Sequence, residues 1–352
     1  MSARNKTVTV SLAILAVIAV FYVLVVGQAL LVPLAVAVMI WYIINALSGA
    51  YQRWIIPQIL KPEWLMKLFA VLTIAVAASA VFNMIESSIG TVVAQAPAYR
   101  ANLDSLIGQW FREYGLEKYL NITEITQSIE FVPFVTALGA ALTGLFGKSL
   151  LVIVYVLFLL LEQTRFDSKM SALFPDAARR DEVRSLISRT QEDIQTYVWI
   201  KTLASITTGV SSYVVLLFVG VDFPEFWAFL IFMLNFIPTI GSIIATLFPA
   251  VLTLVQFEAP LQPFLIVLLS VGSIQFLIGS VIEPRLLGAS LNLSPLVVLL
   301  SLALWGSIWG IAGMFLCVPL TVICVIILAH FGQTRPIAVL LSGNGKLRFV
   351  DG

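Results

Sequence analysis

Apolar residues run along this chain in long blocks rather than in the spaced stripes of a soluble helix or strand. The blocks cover residues 8–26, 30–47, 64–85, 137–161, 198–219, 226–256, 262–282 and 294–328. Most have the ~20 apolar residues that cross a ~30 Å hydrocarbon core as a helix. The pattern predicts an all-α integral membrane protein with about eight apolar helical segments, some broken or re-entrant. Two other stretches have helical periodicity with a polar opposite face. In 103–114 the apolar positions are Leu103, Leu106, Ile107, Trp110, Phe111 and Tyr114; in 183–198 they are Val183, Leu186, Ile187, Ile194, Tyr197 and Val198. These predict short amphipathic helices outside the bilayer, packed on the bundle, lying on the membrane or joining another subunit.

The block 226–256 is unlike the others. As one helix it would be ~46 Å long, more than a single crossing needs. Its middle reads Asn235, Phe236, Ile237, Pro238, Thr239, Ile240, Gly241 and Ser242. Pro238 removes a backbone donor and drives Ile237 out of the helical region. Gly241 tolerates backbone angles that other residues resist. The stretch predicts two helical pieces meeting at 235–242. Irregular backbone at membrane depth must be buried in protein or line a wet cavity, and broken helices mark transporter sites. A packed, kinked helix is the plainer alternative.

Lys/Arg bias sets the expected orientation. Arg4, Lys6, Arg53, Lys61, the cluster from Arg165 to Arg189, and Arg335, Lys346 and Arg348 all fit on the cytoplasmic side. Both termini are then cytoplasmic. The expected organisation is three N-terminal membrane helices in 1–85, an extracytoplasmic amphipathic segment in 86–136 and a fourth membrane helix in 137–161. A cytoplasmic amphipathic segment follows in 162–197, a C-terminal transport region with broken helices in 198–330, and a cytoplasmic tail in 331–352. Arg4 and Lys6 before the first block suggest an uncleaved first membrane helix. An odd number of crossings must separate Asp222 from Arg335. Three full crossings satisfy this; if 226–256 is a re-entrant hairpin, 294–328 is the natural segment to change its count, because Gly306, Gly310 and Gly313 could break it.

Composition narrows the function. Of 352 residues, 60% are hydrophobic and 11% charged, against about 25% charged in soluble domains. The net charge of +1 gives no electrostatic support for a nucleic-acid partner. One histidine and two cysteines make no usual zinc site, and no metal or cofactor is expected. Cys317 and Cys324 would lie ~10 Å apart along a helix, too far for a disulfide, and are expected to be buried fillers. No phosphate-binding loop is present for an ATP-driven pump. An intramembrane enzyme also has little support, since no His-Glu-x-x-His motif occurs.

Polar groups at membrane depth are few, and each is a candidate. Asn235, Thr239 and Ser242 offer an amide and two hydroxyls, with Pro238 and Gly241 shaping the break. That suits a small neutral hydroxylated or carbonyl solute; alternatively these side chains only satisfy broken backbone. Gln275 and Asn292, further candidate substrate contacts, flank a second cluster, Glu283-Pro284-Arg285. Glu283 is the candidate for ion coupling and Arg285 for its counter-charge or for a substrate contact, with an interfacial pair as the plainer reading. Lys201 is expected to snorkel to the interface. Glu162, Arg165 and Asp167 mark a membrane boundary, and His330 is expected to be solvated. Gly306, Gly310 and Gly313 predict a close-packing face, and Trp305 and Trp309 an interface anchor or a packing contact.

The run Asn235-Phe236-Ile237-Pro238-Thr239-Ile240-Gly241 resembles the Asn-x-Ile-Pro-x-Ile-Gly signature of the autoinducer-2 exporter family of bacterial permeases. Ile282 to Gly288 with Leu293 to Val298, and Trp305 to Gly313 with Val318 to Leu320, resemble its second and third signatures. Tyr197, Lys201 and Thr202 match a further short pattern. The likeness is closest to the quorum-signal transporter branch. It implies an inner-membrane, multi-pass exporter of autoinducer-2, a small hydroxylated furanone-like signal. It also implies a homo-oligomer, a pentamer, and a transport site near 238 and 284. Some relatives are similar to sodium (lithium)/proton antiporters, and that reading would centre on Glu283. Alternating access, with the segments after 198 moving against the first four spans, is the expected mechanism.

Overall fold

The computed structural model describes residues 3–54, 62–113, 149–287 and 292–345. Its helices are α1 Ala3–Val26, α2 Gln28–Trp54, α3 Glu63–Glu113, α4 Ser149–Gln163, α5 Phe166–Leu173 and α6 Ala177–Val219. Then come α7 Pro224–Leu234, α8 Ile240–Gln256, α9 Leu261–Phe276, a π-helical segment Leu277–Ile282, α10 Glu283–Leu287, α11 Pro295–His330 and α12 Arg335–Leu341. Among the described residues, five helices are long and apolar enough to cross a membrane, or six with α4 and α5, bent by 63°, taken as one span. The protein is an all-α integral membrane protein. The first part of the expected span 137–161 lies outside the described residues.

Two expected membrane edges fall inside continuous helices. Helix α3 runs for 51 residues, ~76 Å, through the expected membrane edge at residue 85. Helix α6 likewise joins the amphipathic stretch 183–198 to the span that follows. A change from apolar to polar side chains changes a helix's solvent, not its backbone hydrogen bonds, so it does not end the helix. What ends α6 is Gly220 at φ 80. Val221 N–H bonds to Leu216 O and Gly220 N–H to Leu217 O, the paired closure that a glycine C-cap allows.

The chain forms two compact units, Met1–Ile43 with Lys148–Gln195 and Leu291–Gly352, and Ile44–Gly147 with Thr196–Ser290. In the second unit, α7 and α8 form a helical hairpin. Gln256, at the end of α8, accepts a hydrogen bond from Asp222 N–H at 2.9 Å and donates one to Gly220 O at 2.7 Å. The start of α7 and the end of α8 therefore lie together. The arms are ~16 Å and ~26 Å long, each short of the hydrocarbon thickness. Tyr99 of α3 bonds to Asp222 at 2.6 Å, and Asn102 donates to Val255 O at 2.8 Å, pinning the hairpin base to α3. Phe226, Trp227, Leu230 and Ile231 of α7 share a core with Ala245, Ala250 and Leu252 of α8 and Val267 and Val271 of α9.

The first unit holds a second hairpin. Helix α11 breaks at Gly310, with φ 61 and ψ −139. Trp305 Nε1 donates to Thr321 Oγ1 at 3.1 Å, although 16 residues of continuous helix would separate them by ~24 Å. Gly306 faces Met314 in the same way. At the open end, Leu293 packs with Val325, Ala329 and Ala338. The glycine run is thus a fold-back rather than the close-packing face of a straight helix. Trp309 Nε1 donates to Leu24 O at 2.9 Å. Both tryptophans are buried, which selects packing over interface anchoring. Cys317 is buried, but Cys324 is exposed, not the filler expected from its apolar neighbours; both are free thiols. His330 is exposed.

Glu162 to Asp167, the expected boundary, lie at the α4–α5 bend, where Lys169 pairs with Glu162 and Arg184 with Asp167.

Candidate functional site

Helix α6 crosses its apolar stretch with polar residues turned inward. Lys201, Ser205, Thr208 and Ser212 are all buried and recur at intervals of four, three and four, one face of a helix. Leu203, Ile206, Val210, Val214 and Leu217 are exposed. A membrane helix can expose its apolar face to lipid and bury its polar one. Thr208 bonds to Ala204 O of its own helix. Gly209 lets α7 close in, since a Cβ there would lie 3.0 Å from Ala228 O.

Two elements meet this stripe. Asn235, at the hairpin tip and 3% exposed, donates from Nδ2 to Ser205 Oγ at 3.0 Å. One turn away, Lys201 Nζ lies 2.7 Å from Glu283 Oε1 and 2.9 Å from Oε2. Lys201 is 7% exposed and Glu283 8%. Lys201 therefore does not snorkel. It fills the role expected of Arg285, which is exposed. Long-range pairing decides this, because an exposed guanidinium keeps its hydration while a buried carboxylate needs a charge beside it.

The π segment brings Glu283 to that position. Buried positions along this element are Val267, Val271, Gln275, Ile278 and Glu283, in steps of four, four, three and then five. The step of five matches the wide turn, in which Glu283 N–H bonds to Ile278 O. The same widening accommodates Pro284, which lacks an N–H and would crowd the carbonyl four residues back in a regular helix. Helix α10 continues through it.

The tip itself is strained. Ile240 N–H bonds to Pro238 O at 2.6 Å, closing a γ-turn on Thr239, whose φ is 61 and ψ −60. This is the rarer, strained sign of γ-turn, and a β-branched residue is poorly suited to it. Thr239 is exposed and Ser242 half-buried, and neither side chain makes a hydrogen bond within the described residues. Gly241 allows the tightest contact: a Cβ there would sit 1.8 Å from Leu234 O. Thr239→Gly should stabilise the protein by about 1 kcal/mol, because relief of ~1–3 kcal/mol of strain outweighs the added freedom of the unfolded chain. Thermal unfolding in detergent checks this; a lower Tm would show that the turn is not strained.

Gln275 is buried on α9, and neither of its amide atoms has a hydrogen-bond partner among the described residues. Asn292 lies in the other unit, where its side chain bonds to Asn344 and its carbonyl accepts from Gly343 N–H. The sequence reading missed Ser205, Thr208 and Ser212 as a set. The signal was their helical spacing with Lys201 inside an apolar block. Among the described residues no cluster of His, Cys, Asp or Glu side chains is arranged to hold a metal ion.

The AI-2E family transporter model matches residues 12–333. The chain belongs to the AI-2E transporter family. It is 31% identical to the AI-2 transport protein TqsA of Escherichia coli over 90% of each chain. It is 33% identical to a Borreliella burgdorferi protein named for transport, over 73% of this chain and 70% of that one. Identity to YhhT of Escherichia coli, also named for transport, is 29% over 79% and 80%. Within this AI-2E transporter, the family-like stretches around Pro238 and Pro284 supply Asn235 and Glu283, which meet neighbouring positions of the α6 stripe.

Proposed function

We propose that this AI-2E transporter exports a small, neutral, hydroxylated signal, autoinducer-2, across the bacterial inner membrane, with both termini cytoplasmic. The observation that carries the reading is the strained hairpin tip, whose Asn235 reaches the buried polar stripe of α6 at Ser205. The amide of Asn235 and the hydroxyls of Thr239 and Ser242 provide donors and acceptors without net charge. Lys201 and Glu283 neutralise each other, so the site favours a neutral solute over an ion. The likeness to TqsA, named for AI-2 transport, supports the same substrate. Two hairpins that each return to the side they left, one before and one after the single crossing α9–α10 along the chain, keep the odd crossing count.

Transport proceeds by alternating access in this proposal, within a homo-oligomer, a pentamer, whose subunits each hold a site. Cross-links fixing the segments after 198 to the first four spans should stop transport. Continued transport in the linked protein would remove that mechanism.

A sodium (lithium)/proton antiporter is the second reading, favoured by a carboxylate buried at membrane depth. Lys201 on both carboxylate oxygens counts against it, since a cation would have to displace an ammonium. Sealed vesicles holding a pH dye separate the two. Asn235→Ala should lower autoinducer-2 efflux at least tenfold, with no sodium-dependent pH change in either protein. Normal efflux by assembled Asn235→Ala would remove the proposed site. A sodium-dependent pH change lost in Glu283→Gln would establish the antiporter instead.

A further inference from the structure

We propose that Gln275 is the residue that selects the substrate, and that it reads a hydroxyl beside a carbonyl. This rests on the export reading above and names a recognition element for it. Gln275 is 6% exposed, and among the described residues neither Nε2 nor Oε1 has a partner. A buried amide left unsatisfied is costly, because it has given up water on both of its polar atoms. Such a group calls for an explanation, and use by a ligand is one. Its place points to the use. Gln275 lies on the buried face of α9 that the π turn continues to Glu283, and Glu283 meets the α6 stripe at Lys201.

An amide presents one donor and one acceptor about two ångströms apart, in a plane. A ligand matches it with a donor next to an acceptor, and an α-hydroxy carbonyl does so with oxygens on two adjacent carbons. A simple cation meets only the oxygen, and an apolar solute neither atom. A site built to hydrogen-bond a substrate group rejects analogues lacking it more sharply than an apolar pocket rejects an extra methylene. Gln275 thus separates hydroxy-carbonyl solutes from hydrocarbons and from ions of similar size.

The test compares the wild type with Gln275→Met, which keeps the length and loses both polar atoms. Saturation of autoinducer-2 flux is measured in vesicles, and the ligand-free Tm in detergent. The expected result is a half-saturation concentration raised at least about tenfold, the worth of one or two hydrogen bonds, with the maximal rate within about threefold. The Tm of the variant should equal or exceed that of the wild type, since an unsatisfied buried amide has been removed. A merely structural glutamine would give the opposite, a lower Tm, and that result overturns the inference. So does an unchanged half-saturation in a wild type that transports. A wild type with no signal flux strikes the export reading instead; the Tm comparison then still decides whether the amide serves the fold.

Discussion

Lys201→Met should destabilise the protein by about 3–5 kcal/mol, the usual cost of stranding one partner of a buried ion pair. Lys201 holds both oxygens of Glu283, and both residues are more than nine-tenths buried. Without the ammonium, the carboxylate must stay charged in a low-dielectric site, take up a proton, or move out by unwinding the π segment. The double variant Lys201→Met/Glu283→Leu should recover most of the loss, because apolar replacements of a whole pair are often neutral or better. It should nevertheless transport poorly, having lost the polar surface beside the hairpin tip. Thermal unfolding of the four proteins of the cycle measures the coupling. Equal Tm values for wild type and Lys201→Met would mean that the pair is solvated and is not the centre of the site.

The second large effect is expected at the glycines inside the hairpins. A Cβ on Gly241 would lie 1.8 Å from Leu234 O, and one on Gly313 would lie 1.9 Å from Trp305 O. In both cases the obstacle is main chain, which cannot rotate away as a side chain does. The arms would have to separate, breaking the tip hydrogen bonds and the packing below them. Gly241→Ala and Gly313→Ala should each cost at least about 3 kcal/mol, the upper end of ordinary overpacking. Folded yield by size-exclusion chromatography should fall sharply, with efflux falling alongside. Gly310→Ala is the control. Among the described residues no atom beyond its chain neighbours and its own helix backbone lies within 4 Å of its Cβ position, so the strain is in its φ of 61. It should cost ~1–3 kcal/mol and keep the fold. A Gly241→Ala protein with wild-type Tm would show that the arms are not held as closely as described.

Much of the site was legible because breaking a membrane helix leaves a local signature. Asn235 to Ser242 and Gly306 to Gly313 stand out against apolar surroundings, and the chain does break at both. The counter-charge of Glu283 was not legible. Arg285 is two residues away in sequence and Lys201 is not, but sequence distance says nothing about which group a wide helical turn faces. The buried stripe on α6 was missed for a related reason. Serine and threonine are small enough to pass as packing residues until a partner such as Asn235 is seen against one of them.

The amino-acid sequence by itself determined the all-helical membrane class, the places where helices must break and the family. These follow from local properties: apolar length, missing amide protons, and glycine at angles other residues resist. Tertiary structure alone decided that each break is a hairpin tip, since Gln256 meets Gly220 and Thr321 meets Trp305 only after the chain has folded back. It also decided that Lys201 and Glu283 form the buried pair, because a charge in a low-dielectric interior is stabilised by whichever opposite charge the packing brings within reach.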